Sequence, residues 1–326
     1  MNDLPTDPPS PKPDAATPAR PYPNAARPGG AGGADGGAGR IVVLGNEKGG
    51  TGKSTAAMHL IVALLRDGRS VASIDLDGHQ GTLTRYVENR RSFTESEGLR
   101  LHMPDHRRIG GDDAGSGAAD PAALQPDTDA LIDRLAAMHD YVVLDCPGTD
   151  NALARHAISR ADILITPIND SFIDLDLLAR VGGTPPRVLG PSVYSQTVWE
   201  GRQRRAMGGG RPIDWIVLRN RLSPLDSRNK KRVGATLEEL AGRIGFRWLD
   251  GFHERVIFRQ LFLQGLTVLD LREDGAGVPL NMSHVAARQE IRRLTDAVLG
   301  RQAGDDAGAH AGTAASEGAA PALAGL

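Results

Sequence analysis

Gly45-Asn46-Glu47-Lys48-Gly49-Gly50-Thr51-Gly52-Lys53-Ser54-Thr55 is the stretch on which the fold turns. Residues 41–44 before it form a short β-branched apolar run of strand type. Residues 55–66 after it carry apolar side chains at helical spacing and stop at Asp67-Gly68. Glycines between a strand and a helix let successive backbone N–H groups turn inward without a Cβ in the way. Together with the N-terminus of the following helix they make a concave anion site. Lys53 adds a point charge for the β- and γ-phosphates of a nucleotide such as ATP, and Ser54 offers a hydroxyl to Mg²⁺. The strand–loop–helix context makes this a P-loop. The ordinary Walker A pattern has glycine where Glu47 stands; here Lys48 and the Gly49-Gly50 pair replace that opening, the deviant form of the motif.

Further from the loop, short apolar runs alternate with helical patterns. Residues 71–74 read as a strand delivering Asp75 and Asp77, with Gln80 close behind. Residues 141–144 deliver Asp145, followed by Pro147-Gly148. Two more strands are expected at 163–166, stopped by Pro167, and at 215–218, ending on Arg219-Asn220-Arg221. Helical patterns occupy 128–139, 233–244, 254–264 and 283–299, and residues 100–127 read as a long variable loop. This alternation predicts an α/β fold: a mostly parallel twisted sheet flanked by helices on both faces, the P-loop NTPase arrangement. In such sheets ligands bind at the carboxyl ends of the strands. A carboxylate brought there beside a phosphate loop suits Mg²⁺ held through water. Beside the Ser54 hydroxyl on the metal, Asp145 is expected in its outer shell, and Asp77 both near the metal and on the attacking water. Cys146 reads as a small buried filler with no histidine partner nearby, and His59 as a satisfied surface or core histidine.

Composition sets the limits. Residues 1–39 are dominated by Pro, Ala and Gly, and 301–326 by Ala and Gly with acidic residues. Neither tail carries enough apolar surface to offset the entropy of ordering, so both are expected to be disordered, leaving a single domain over 40–300. The formal net charge of −2 points to no partner. One cysteine, Cys146, allows no intrachain disulfide and too few ligands for an iron–sulfur cluster, which sets aside redox relatives of the fold. The N-terminus has no apolar core of a signal peptide, and no apolar run approaches the ~20 residues of a membrane span. A cytoplasmic protein is the expectation.

With these residues in view, the chain resembles the ParA/MinD superfamily of dimerising ATPases, and within it the MipZ family of division-plane positioning ATPases. The resemblance rests on the deviant loop, the Asp75/Asp77/Gln80 set, residues 145–148, and the segments 45–50, 198–202, 214–222, 227–232 and 255–271. The departures are Thr51, Gly78-His79, Cys146 where threonine is usual, and the long tails. The resemblance implies that Lys48, Lys53 and Asp77 carry catalysis. Nucleotide contacts would come from Gly49, Gly50, Thr51, Gly52, Lys53, Ser54 and Thr55, with Asn220 near the adenine. Lys48 would reach across a homodimer formed on ATP binding, with two nucleotides sandwiched between subunits. The dimer would bind DNA non-specifically on the nucleoid and block FtsZ polymerisation. ParB would recruit monomers, and slow hydrolysis would restore them. A MinD-like membrane role needs a C-terminal amphipathic helix that the chain after Gly300 lacks. Amide-forming ligases of the same fold would need a substrate site that is not apparent. A ParA-type chromosome or plasmid partitioning ATPase stays open as the alternative.

Between Glu200 and Arg232 ten lysines and arginines stand against three acids, an excess of seven in a chain of net charge −2. Such a local excess suits a phosphate backbone, and without interleaved aromatics it predicts backbone contacts and no base readout. The expected DNA contacts are Arg228, Lys230, Lys231 and Arg232, flanked by Arg255 and Arg259.

Overall fold

The computed structural model describes residues 38–110, 120–182, 187–222, 227–272, 282–301 and 309–310. Its strands are β1 (Arg40–Leu44), β2 (Val71–Asp75), β3 (Asp105–Arg108), β4 (Tyr141–Asp145), β5 (Ile163–Asn169), β6 (Ala179–Gly182), β7 (Arg187–Pro191), β8 (Asp214–Asn220), β9 (Arg247–Asp250) and β10 (Ala309–His310). The helices are α1 (Lys53–Arg66), α2 (Thr82–Glu97), α3 (Gln125–Met138), α4 (Ala152–Arg160), α5 (Phe172–Leu175), α6 (Val193–Met207), α7 (Ser227–Ile244), α8 (Val256–Leu263) and α9 (Met282–Leu299). The main sheet runs β10-β9-β8-β5-β1-β4-β2-β3, and β6 and β7 form a separate antiparallel pair. All neighbours from β9 to β3 are parallel; β10 alone is antiparallel.

Both faces of the sheet are covered, which is why β1 reads as an unbroken apolar run instead of an alternation. Val42 and Leu44 join the core under α1, α2, α8 and α9, whereas Ile41 and Val43 join the core under α3, α4, α6 and α7. Each fully buried Leu or Ile in these layers contributes about 1.5–3 kcal/mol. Register then fixes the site: Leu44 and Asp75 each sit level with Asp145, and Asn169 level with Asn220. The strand order brings β4 and β5 to the two sides of β1, a switch point at which the carboxyl ends open a crevice.

Two expectations need correction. Strand β5 does not stop at Pro167 but runs on to Asn169. Pairing with β1 ends at Ile165, and the Pro167 carbonyl on that side accepts from Asn46 Nδ2. The missing proline N–H would have pointed past the end of β1, so no ladder bond is lost. The stretch 100–127 is not all loop. Asp105-His106-Arg107-Arg108 forms β3, paired in parallel with β2, and α3 begins at Gln125. An edge strand has one neighbour and half-open faces, so it needs no apolar run. Within the described residues no helix is long and apolar enough to cross a membrane. Of the two tails, only residues 38–39, 301 and the short β10 are described; the expectation for the rest lies outside the described residues.

Candidate nucleotide-binding site

The loop between β1 and α1 is built on glycines whose positions are fixed by what surrounds them. Gly50 and Gly52 have φ of 71° and 90°, the left-handed region. A Cβ on Gly52 would stand 2.4 Å from Asn220 Nδ2, and one on Gly148 would stand 2.9 Å from Gly49 Cα. The loop is therefore clasped between the ends of β8 and β4. Asn46 anchors its base, accepting from the Lys48 N–H at 2.6 Å while its amide donates to Pro167. Gly52 caps α1 with no side-chain hydrogen bond, and the first turn holds no acid. The first N–H groups of α1 thus remain available to an anion.

The two lysines are used differently. Lys53 is buried at 7% exposure and its Nζ bridges the loop to the Lys48 carbonyl at 3.0 Å. Burial pulls its pKa below the usual lysine value, opposed chiefly by Asp145. Lys48 turns outward, where Nζ donates to the Ile173 carbonyl at 2.9 Å and pairs with Asp174 at 3.0 Å. Its side chain is 38% exposed.

Three carboxylates meet the loop. Asp145 is buried, and burial pushes it up to about 7, helped by neighbouring Asp75 and opposed by a hydrogen bond with Ser54 and by Lys53. Its Oδ1 is buried with no hydrogen-bond partner. Asp75 is fully buried and spends both oxygens on structure: Oδ1 accepts from the Asp77 N–H at 3.0 Å, Oδ2 from the Thr84 N–H and hydroxyl at 2.9 and 3.0 Å. Burial holds it above the ordinary carboxylate range. Asp77 stands at the site's mouth, half-buried, its Oδ1 accepting from the Gln80 N–H at 3.0 Å.

The residues fit a nucleotide-bound Mg²⁺. Among the described residues no group of three or more His, Cys, Asp or Glu is arranged to cage a metal ion. Magnesium beside a triphosphate needs no such cage, only one or two protein oxygens, water and the phosphates. The Ser54 hydroxyl and the orphaned Asp145 Oδ1 supply that kind of donor.

The other expected residues are placed as follows. Asn220 is buried, donating to the Thr51 carbonyl at 2.8 Å and accepting from the Phe252 N–H at 3.2 Å. Its amide is thus occupied in clamping the loop to β8. Cys146 is buried in the core, with burial raising its thiol far above the usual range. His59 is a core histidine, Nδ1 on the Thr55 carbonyl at 2.8 Å, its pKa lowered to about 4 by burial. Asp174 and Thr84 are site residues that sequence reasoning missed, while Asn46 and Gly148 lay within the segments that carry the resemblance but were given no role. Only Gly148, flanking Asp145, carried a signal: a glycine after a strand-end carboxylate.

The basic segment divides. Arg202, Arg205 and Arg219 are spent inside the fold: on the Ile244 carbonyl and the Trp215 ring, on the Arg160 and Arg211 carbonyls, and on Asp170 and Asp250. Lys231 and Arg232 are exposed on α7. Arg228 and Lys230 share the first turns of that helix; their side chains lie outside the described residues. Cations in the first turn of a helix oppose its dipole. Arg259 is exposed, paired at the surface with Glu254. Arg255 is 11% exposed and gripped by both oxygens of Glu290, which removes it from the free surface.

Comparison with known proteins agrees with this geometry. A family model described as ATPase MipZ matches residues 40–299. The chromosome partitioning protein ParA of Caulobacter vibrioides is 29% identical over 172 residues, 46% of this chain and 64% of that protein. The septum site-determining protein MinD of Synechocystis is 28% identical over 151 residues, 42% of this chain and 57% of that one. The chain thus spans less than two thirds of the length of these curated relatives. Among solved structures, a McdA variant of Cyanothece in complex with ATP superposes with a TM-score of 0.54 at 18% identity, covering 81% of this chain and 98% of that one. MinD of Pyrococcus horikoshii complexed with Mg-ADP superposes with a TM-score of 0.50 at 18% identity, covering 79% and 95%. At such identities the superpositions establish the shared fold.

Proposed function

The chain belongs to the MipZ family of ATPases, and from that premise we propose that it is a slow ATPase whose ATP-bound form dimerises, binds DNA non-specifically, meets ParB and restrains FtsZ assembly to position the division site. The observation that carries this reading is the pairing of two lysines on one loop, Lys53 turned in and Lys48 turned out, beside the orphaned Asp145 oxygen. Backbone N–H groups of residues 49–55 receive the phosphates, and Lys53 moves its ammonium from the Lys48 carbonyl to their charge. Lys48 exchanges Asp174 for the nucleotide across the dimer. Asn220 keeps the loop against β8 at the adenine end. Ser54, Asp145 and Asp77 would hold Mg²⁺, which when bound would supply charge neutralisation on the phosphates. Asp77 orients the attacking water. On α7, Arg228, Lys230, Lys231 and Arg232 contact phosphate, with Arg259 beside them; Arg255 supports that surface through Glu290.

Arg221, at the end of β8, has a guanidinium nitrogen 3.9 Å from where a Cβ on Gly50 would stand, so a cation borders the phosphate loop from that side. A cytoplasmic, nucleoid-associated protein follows. The second reading, a ParA-type partitioning ATPase, is favoured by the likeness to the Caulobacter ParA. FtsZ pelleting separates the two. ATP-dependent loss of polymer with the wild type, and none with Lys53→Ala, is expected. Undiminished polymer with the ATP-loaded protein would refute the division role and leave partitioning.

A further inference from the structure

Strand β3, the charged edge that its sequence disguises, meets the turn carrying Asp77 or the residues that support it at three places. His106 lies level with Ser73 of β2 and bonds it through Nδ1 at 2.9 Å. Its Nε2 lies 3.0 Å from Thr84 Oγ1. Thr84 gives its own hydroxyl proton to Asp75, so it must accept from His106, and Asp75 in turn accepts the Asp77 N–H. The direction of every bond is thereby fixed: Ser73 O–H to Nδ1, Nε2–H to Thr84, Thr84 O–H to Asp75. Burial, then Arg91 and Arg107, push the imidazolium down to about 4, so at neutral pH the ring carries the single proton this chain of bonds requires.

The second contact comes from Arg108, whose guanidinium donates to the Gly78 carbonyl inside the Asp77–Gly81 turn. In the third, the end of the strand lies directly on that turn. A Cβ on Gly78 would stand 1.9 Å from the Gly110 carbonyl oxygen, and the Ile109 N–H donates to the Asp75 carbonyl at 2.9 Å. At Gly78 no other residue fits.

We propose that His106 and Arg108 are positioning residues: from β3 they hold Asp77 where it can orient the attacking water, His106 through Thr84 and Asp75, Arg108 through the Gly78 carbonyl. This inference rests on the ATPase reading. Neither residue belongs to the phosphate loop, so its loss is expected to act on turnover and to spare ATP binding, which the loop and Lys53 would provide. Misplacing a reacting group by about 1 Å costs up to ~100-fold. Both residues act on Asp77 only through intermediates, which sets the expectation at roughly tenfold for each.

The test compares His106→Leu, His106→Gln, Arg108→Ala and wild type by phosphate release at saturating Mg-ATP, by ATP affinity, and by amide hydrogen exchange over residues 77–81. His106→Leu, which loses both bonds, is expected to lower turnover about tenfold with ATP affinity within twofold. His106→Gln, which keeps a donor toward Thr84, is expected to restore most of it. Arg108→Ala is expected to speed exchange at the Gln80 and Gly81 amides. Unchanged turnover and unchanged exchange in folded variants would overturn the proposal. A joint fall of turnover, affinity and thermal stability would do the same, marking β3 as merely structural. Wild-type protein without turnover defeats the ATPase reading instead, and the exchange measurement then still decides whether β3 braces the turn.

Discussion

Replacing Gly148 with alanine tests how tightly the phosphate loop is fitted. The new Cβ would stand 2.9 Å from Gly49 Cα and 3.0 Å from Gly49 N, where ordinary contact begins at 3.4 Å. Gly49 must therefore retreat by about 0.5 Å. On the proposed reading its N–H would face the phosphates, and a bond stretched from ~2.9 to ~3.4 Å leaves the favourable range. A hydrogen bond to a charged group is worth about 1.5–3 kcal/mol, so ATP affinity should fall roughly 10- to 150-fold. Gly148 has no left-handed φ, so alanine suits its own backbone, but the atoms it displaces are backbone, so the unfolding midpoint should fall as well. Equilibrium titration with a fluorescent ATP analogue, beside a thermal melt, measures both. Affinity within twofold of wild type in a folded variant would show that the loop yields, and the clasp between β8 and β4 would be the wrong account.

Three further outcomes follow from the same geometry. Arg90 and Asp270 form a fully buried bidentate pair with Thr267 also on the carboxylate, so Asp270→Asn should cost about 3–5 kcal/mol in urea unfolding. The Arg90 guanidinium beside Asp270 helps hold its carboxyl below the ordinary range against burial; a depressed folded pKa stabilises above the unfolded value, and this contribution should fade as pH falls through the acid range. Asp145 is the opposite case: burial raises it to about 7, so nucleotide-free protein should lose stability as pH rises from about 4 to 7. Asp145→Asn should flatten that slope in melts across pH, while weakening Mg-ATP binding. Lys231→Ala with Arg232→Ala should weaken DNA binding and reduce the salt slope by about 1.8, whereas Arg255→Ala should show itself first as lost stability through Glu290; equal slopes in filter binding would exclude α7 from the contact.

Legibility in the sequence followed local periodicity. Strands β1, β2, β4 and β8 were readable because each is buried on both faces, so apolar residues predominate through them. The loop was readable because its glycines and lysines are consecutive. Strand β3 was not, since an edge strand facing half-open surroundings can be made of Asp, His and Arg. Pro167 misled because a proline's cost depends on which side its missing N–H would have faced, a tertiary fact. The partners of Lys48 and Arg255 lie 126 and 35 residues away in sequence. A cation committed to a buried carboxylate and one free at the surface look alike in the chain.

Sedimentation of the protein without nucleotide, with Mg-ADP and with Mg-ATP, for wild type and Asp77→Ala, tests the central claim most directly. The account predicts a monomer without ATP, a dimer with it, and a dimer that persists in Asp77→Ala because the water is no longer oriented. A protein that binds ATP and sediments as a monomer in every state would contradict the switch.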